Sequence, residues 1–303
     1  MQKESTTIYH IIAFVTVAIW GSTFISTKLL IHAGLAPDQI FVFRFLIAYV
    51  LMLGISFFGK KKDEWRRWWS HSWKDEAIML LLGITGGSAY FLTENEALRY
   101  STATNVSLIV CSCPLFTMIL LRLLFRETRL NSKQVLGTVL SFVGMTVVVL
   151  NGKFVLQLSP LGDMLAFSAC LAWAFYTLFM KMVADKYSSF YITRKVFFYG
   201  LITMLPYYLI KPGFPLSSQL LTPMVIGNFI FLGVLASLIC FLTWTWCVYH
   251  LGTMKATNYI YVNPITTIFF ASVILKETIT PYFIIGTICI LIGLFLSSKS
   301  EMS

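Results

Sequence analysis

Charge is what this chain has least of. Only 12% of its 303 residues are Asp, Glu, Lys or Arg, while 57% are hydrophobic; soluble domains carry roughly 25% charged residues. That scarcity excludes an ordinary water-facing surface and makes lipid the solvent for most of the exterior. Acid is scarcer than base, with 13 Asp and Glu to 23 Lys and Arg. The net charge of +10 does not describe a nucleic-acid binder. Its bases fall in short segments between apolar runs, as a topology signal does. Four histidines (His10, His32, His71, His250) lie at run ends or in a loop without clustering, so a zinc site or catalytic dyad finds no support. All six cysteines lie within apolar runs and read as small buried hydrophobes, not a disulfide framework. Cys111-Ser112-Cys113 offers a metal two ligands with no His or acid beside them, too few for a closed site. There is no phosphate-binding glycine loop and no nucleotide-binding domain. No metal, cofactor or enzymatic role is expected.

What the chain has is long apolar runs. Ten candidate spans can be drawn, at 8–32, 38–58, 76–98, 102–125, 133–150, 161–184, 192–210, 224–248, 254–275 and 281–298. Each is near the ~20 residues that cross a bilayer as a helix. A barrel would show segments of about 10 residues with alternating polarity. The first run is too long for a signal peptide and lacks a small-residue cleavage pattern, so it reads as a retained helix. With the N-terminus inside, seventeen Lys and Arg fall on the inner side and four on the outer. That bias predicts a cell-membrane protein with both termini cytoplasmic. The tryptophans and bases of 59–74 read as a segment lying at the lipid headgroups.

The chain also repeats itself. Ala13-Phe14, Trp20 and Lys28 recur at an offset of 153 as Ala166-Phe167, Trp173 and Lys181, and Ala103-Thr104-Asn105 recurs as Ala256-Thr257-Asn258. Pro114 precedes Glu127 by thirteen positions, and Pro264 precedes Glu277 by thirteen. Gly137 and Gly144 sit seven apart, as do Gly286 and Gly293. Two units follow, 8–150 and 161–298. Five spans each force the second unit to enter from the opposite side, giving inverted repeats. Duplicated bundles of this kind are typical of secondary transporters, with a substrate site between the halves.

With these residues in hand, the chain resembles the drug/metabolite transporter superfamily, EamA type. The resemblance covers nearly the whole length. It rests on Trp20-Gly21-Ser22-Thr23-Phe24, Arg44-Phe45, Pro114 with Glu127, Gly162-Asp163, Trp173-Ala174-Phe175-Tyr176, and Pro264 with Glu277. It implies an all-α integral membrane fold of ten transmembrane helices in two inverted five-helix repeats, with a central cavity lined mainly by helices 1, 3, 4, 6, 8 and 9. It also implies transport of small metabolites, often amino acids or their derivatives and frequently outward. Helix 10 carries no internal charge, unlike the basic site of the related phosphate-sugar exchangers, which disfavours phosphorylated substrates.

Ionisable groups inside spans are functional candidates by default. Lys28, Arg44, Glu94 and Glu96 approach one depth and could form an ion-pair cluster. Glu94 is the candidate for binding a substrate ammonium or taking up a coupling proton. Lys28, Arg44, Glu127 and Glu277 are assigned structural roles. Pro114 and Pro264 are candidate hinges, since proline frees a carbonyl one turn back. Trp20, Asn105, Trp173, Tyr176, Tyr259 and Asn263 are expected, with Glu94, to line the cavity, although core packing would also explain the aromatic members. The glycine pairs pack helices 5 and 10 against their bundles, or against a second copy in a homodimer. The partners expected are a small-molecule solute and the lipid bilayer. A secondary transporter working as an exporter is the leading function; a passive facilitator or channel of the same fold is the rival.

Overall fold

The computed structural model describes residues 7–58, 67–101, 103–124, 131–150, 159–210, 222–275 and 280–298. All regular structure among them is helical. We number the rods in chain order: α1 Thr7–His32, α2 Pro37–Phe58, α3 Trp73–Tyr100, α4 Ala103–Val110 continuing as Cys113–Leu124, and α5 Ser132–Leu150. Then come α6 Pro160–Val183, α7 Ser189–Ile210, α8 Pro223–Leu251, α9 Thr253–Asn258 continuing to Leu275, and α10 Pro281–Ser298. Among the described residues six stretches are long and apolar enough to cross a membrane: α1, α2, α3, Val106–Leu124 of α4, α6 and α8. Ile284–Ser297 of α10 is a shorter apolar stretch.

Local chemistry sets the helix ends. Proline opens α2, α6, α8 and α10, where its missing N–H would have no helical partner anyway. Gly34 closes α1 with φ 94°. Its N–H donates to Ile31 O at 2.9 Å, and Leu35 N–H donates to Leu30 O at 3.1 Å. This is a Schellman cap, and the buried Leu30 and Leu35 supply its hydrophobic clasp. The expected spans 76–98 and 192–210 start earlier, at Trp73 and Ser189. The first turns of these two helices carry opposite charges that meet. Glu76 accepts from Lys195 and from Tyr199, with Lys195 and Glu76 side chains only 4% and 8% exposed.

The helix ends define two faces. At the near face, where α1 starts, Tyr9 stacks on His250 at 4.1 Å and His10 Nδ1 lies 2.8 Å from the Tyr259 hydroxyl. On that face Lys186 donates to Asp75 at 3.0 Å, and Tyr187 donates to Asp75 at 2.9 Å. At the opposite, far face the start of α6 abuts the end of α3. A Cβ on Gly162 would lie 2.8 Å from Ser101 Cβ, and Ser101 donates to Asp163 at 3.4 Å.

The glycine stripes of α5 and α10 face each other inside the chain. A Cβ on Gly137 would lie 2.5 Å from Gly293 O, and one on Gly144 would lie 2.7 Å from Gly286 O. The two helices therefore pack backbone to backbone, and these faces are not free to hold a second copy.

Both expected proline breaks have definite form. α4 is interrupted by a turn at Cys111–Ser112, and α9 passes through a 3-10 segment at Tyr259–Val262. Pro114 and Pro264 each sit second in the α-helix that resumes. A second matched pair of irregular segments lies in α3 and α8. π-helical stretches occupy Ile84–Ser88 in α3 and Phe231–Ile239 in α8, each containing glycine. Such stretches are frequent at functional sites.

Candidate functional site

A narrow cavity lies where these irregular segments meet. It is lined by Trp20, Thr23 and Phe24 of α1, Arg44 of α2, Tyr90, Phe91 and Glu94 of α3, and Val110 and Cys113 of α4; Trp173, Phe241, Ile260 and Asn263 complete it from α6, α8 and α9. Both units contribute. About 30 Å³ of it admits the centre of a water-sized sphere, room for one to a few waters at roughly 10–15 Å³ each. A metabolite would have to part the helices. A wider groove of about 950 Å³ on the same measure indents the near face among His71, Lys186, Tyr187, Trp246, Tyr249 and His250.

The repeated tryptophans meet at the cavity wall. Trp20 and Trp173 pack edge to face with centroids 5.3 Å apart, a favoured quadrupole geometry. Trp244 and Phe241 pack on the same pair. Trp20 donates its indole N–H to Ala236 O, 2.9 Å away in the π-helical stretch of α8. Trp173 Nε1 is buried without a hydrogen-bond partner among the described residues, as is Asn263 Oδ1. Their residues are 5% and 8% exposed. An unmatched buried donor or acceptor costs about 1–3 kcal/mol, so a donor and an acceptor at this cavity have hydrogen-bonding capacity left unused.

The expected ion-pair cluster does not form. Glu96 pairs with Arg99 at 3.2 Å, one helical turn along. Glu94 accepts from the Tyr90 hydroxyl at 2.7 Å. Arg44 Nε donates to Ser237 Oγ at 3.0 Å, and its guanidinium carbon lies 4.3 Å from the Phe91 ring centroid. Lys28 is half-buried and has no ion pair within 4.0 Å among the described residues. The helices hold Arg44 and Glu94 on the walls of one cavity without bringing them into contact.

Four of the expected lining residues are therefore there: Trp20, Glu94, Trp173 and Asn263. Tyr176 lies behind the wall, 4.9 Å from Trp173 by centroids, and occupies the space a Cβ on Gly86 would take. Tyr259 is displaced to the near face beside His10, because the 3-10 segment turns it away from Asn263. Asn105 has its side chain outside the described residues, and Glu127 and Glu277 lie outside them entirely. Arg44, read from sequence as structural, lines the cavity. The near-face set of Asp75, Glu76, Lys186, Lys195 and Tyr199 was missed. Its signal was present as two acids opening one run and bases opening another on the same side.

Comparisons with known proteins place the chain in a family. The description "EamA-like transporter family" matches residues 7–150 and 160–299. An uncharacterized transporter of Archaeoglobus fulgidus is 26% identical over 296 residues, covering 96% of this chain and 98% of that protein. A protein of Salmonella typhimurium described as a probable amino-acid metabolite efflux pump is 24% identical over 296 residues, covering 94% and 93%. A crystal structure titled only as that of a protein has the same fold, with TM-score 0.75 at 15% identity over 97% of this chain and 99% of the other. This chain is a multi-pass membrane protein and belongs to the EamA-like transporter family.

Proposed function

We propose that this protein is a secondary transporter of a small organic metabolite of the amino-acid or derivative class, working as an exporter by alternating access. In this reading the chain crosses the cell membrane ten times as two inverted units, 8–150 and 161–298, with both termini cytoplasmic. Support comes from the opposite placement of α1 and α6, which start at the near and far faces, and from the matched π-helical stretches and proline breaks. The observation that carries the reading is the cavity itself, with Trp20 and Trp173 of the two units forming one wall beside unmatched buried polar groups. The near-face contacts of Asp75 and Glu76 with α7 and the α6–α7 turn hold that face shut and would part when the cavity opens there.

Glu94 is the group we assign to proton coupling, since it is the acid on the cavity wall. Purified protein in liposomes loaded with an amino-acid mixture tests both parts. Saturable efflux that responds to an imposed pH gradient supports the transporter. Efflux that never runs against a concentration gradient favours the passive facilitator. Unchanged rate and pH dependence in Glu94→Gln would remove Glu94 from the mechanism.

A further inference from the structure

Arg44 is poorly explained as a structural charge. It is 2% exposed, in a protein whose surroundings are apolar, and burying an unmatched guanidinium there is expensive. Buried arginines are normally satisfied by neighbouring acceptors, and this side chain carries five N–H donors. Among the described residues only Nε has a partner, Ser237 Oγ. Among the described residues neither terminal amino group donates a hydrogen bond, and no carboxylate lies within 4.0 Å. The unused end of the fork belongs to a residue on the cavity wall.

The rest of the side chain is held firmly. The Phe91 ring lies against the guanidinium, and Ser237 fixes Nε from the π-helical stretch of α8. Gly233 in the same stretch allows α8 to approach, since a Cβ there would lie 2.8 Å from Ile47 Cβ and 3.3 Å from Arg44 O. A preorganised fork with free paired donors matches a carboxylate, which it binds through two parallel charge-assisted hydrogen bonds. We propose that Arg44 is the carboxylate receptor of the cavity, binding the solute by its acid group while Trp20, Trp173 and Phe241 take its apolar part. This deepens the transporter reading and rests on it. Glu94, on the same wall set but out of contact, then meets a solute ammonium where one exists. A carboxylate is required and the ammonium is secondary.

Three probes of one shape separate these groups: phenylalanine, 3-phenylpropionate without the ammonium, and phenethylamine without the carboxylate. Each is titrated at constant ionic strength against the purified full chain in detergent, reading the shift in Tm. The two carboxylates should raise the Tm of the wild type, and phenethylamine should not. Arg44→Gln should weaken carboxylate binding about thirtyfold or more, with Arg44→Lys intermediate because a point charge replaces the fork. Equal stabilisation by phenethylamine, none by either carboxylate, or unchanged 3-phenylpropionate binding in Arg44→Gln would overturn the assignment. The wild-type series decides even if the variant fails to fold. Gradient-driven efflux of solutes lacking a carboxylate would refute the role of Arg44 and leave the transporter reading standing; loss of all gradient-driven efflux would refute both.

Discussion

Gly21, beside Trp20, is where α1 touches the broken segment of α9, and adding one methyl group there tests the packing that shapes the cavity. A Cβ at Gly21 would overlap the Thr266 hydroxyl outright and lie 2.5 Å from Asn263 O, about 0.9 Å short of ordinary contact at 3.4 Å. The hydroxyl can rotate away, but the carbonyl belongs to the backbone. Overpacking of this kind costs about 1–3 kcal/mol. Separating the helices also strains the bond from Thr267 Oγ1 to Gly21 O, 2.7 Å long, worth about 0.5–1.5 kcal/mol. Alanine returns about 0.5–1 kcal/mol through its helix propensity. Gly21→Ala should therefore destabilise the fold by about 1–3 kcal/mol net. Reversible unfolding by SDS in mixed micelles measures it, with Gly54→Ala as control, because nothing lies within 4 Å of a Cβ there. Adding Thr266→Ala should restore part of the loss by removing the hydroxyl and not the carbonyl clash. Since Asn263 lines the cavity, transport per folded molecule should fall as well. Gly21→Ala within about 0.5 kcal/mol of wild type, the range of a neutral surface change, would refute the reasoning.

Other substitutions probe separate parts. Lys195→Met leaves the buried Glu76 without its cation; it should destabilise by about 3 kcal/mol, at the low end for a broken buried pair because Tyr199 and Ser70 still donate to Glu76. Pairing it with Glu76→Gln should recover much of that loss in a double-mutant cycle measured by the same unfolding assay. Gly293→Ala places a Cβ 2.5 Å from Gly137 O and 2.7 Å from Ser141 N; it should destabilise the α5–α10 pair by about 1–3 kcal/mol while sparing solute affinity, measured by ligand-induced shift in Tm. Trp173→Phe keeps a ring at the wall and removes the unmatched indole N–H; it should hold stability within about 1.5 kcal/mol and lower solute affinity in the same shift assay.

Much of the fold was legible because it is written in local chemistry. Long apolar runs located the helices, and the recurrence of Trp20 as Trp173 located one wall of the cavity. The two glycine pairs announced a close helix contact but not its partner, since facing one's own bundle, the other unit or a second copy all ask for the same small residues. The π-helical form of the stretches in α3 and α8 was not legible for a similar reason. Glycine in an apolar run is as compatible with an α-helix as with an extra residue per turn, and only packing of Tyr176 on Gly86 and Ile47 on Gly233 distinguishes them. Arg44 and Glu94 were recognised as unusual, yet whether two opposite charges meet or stand apart depends on how α2 and α3 are rotated. That rotation is fixed by contacts such as Arg44 with Ser237, more than 190 positions away in sequence. Tyr259 was misplaced because a 3-10 segment advances fewer residues per turn than an α-helix, which swings it from the cavity to His10.

The central claim is that one cavity serves both sides of the membrane in turn. Thr23 lines that cavity and among the described residues its side chain bonds only to Trp20 O of its own helix, so a cysteine fits there in a background freed of the six native ones. Sealed vesicles treated with an impermeant thiol reagent from either side then give the answer. The account predicts that Thr23→Cys is modified from both sides and that a transported solute slows each reaction. Modification from one side alone, indifferent to solute, would contradict it.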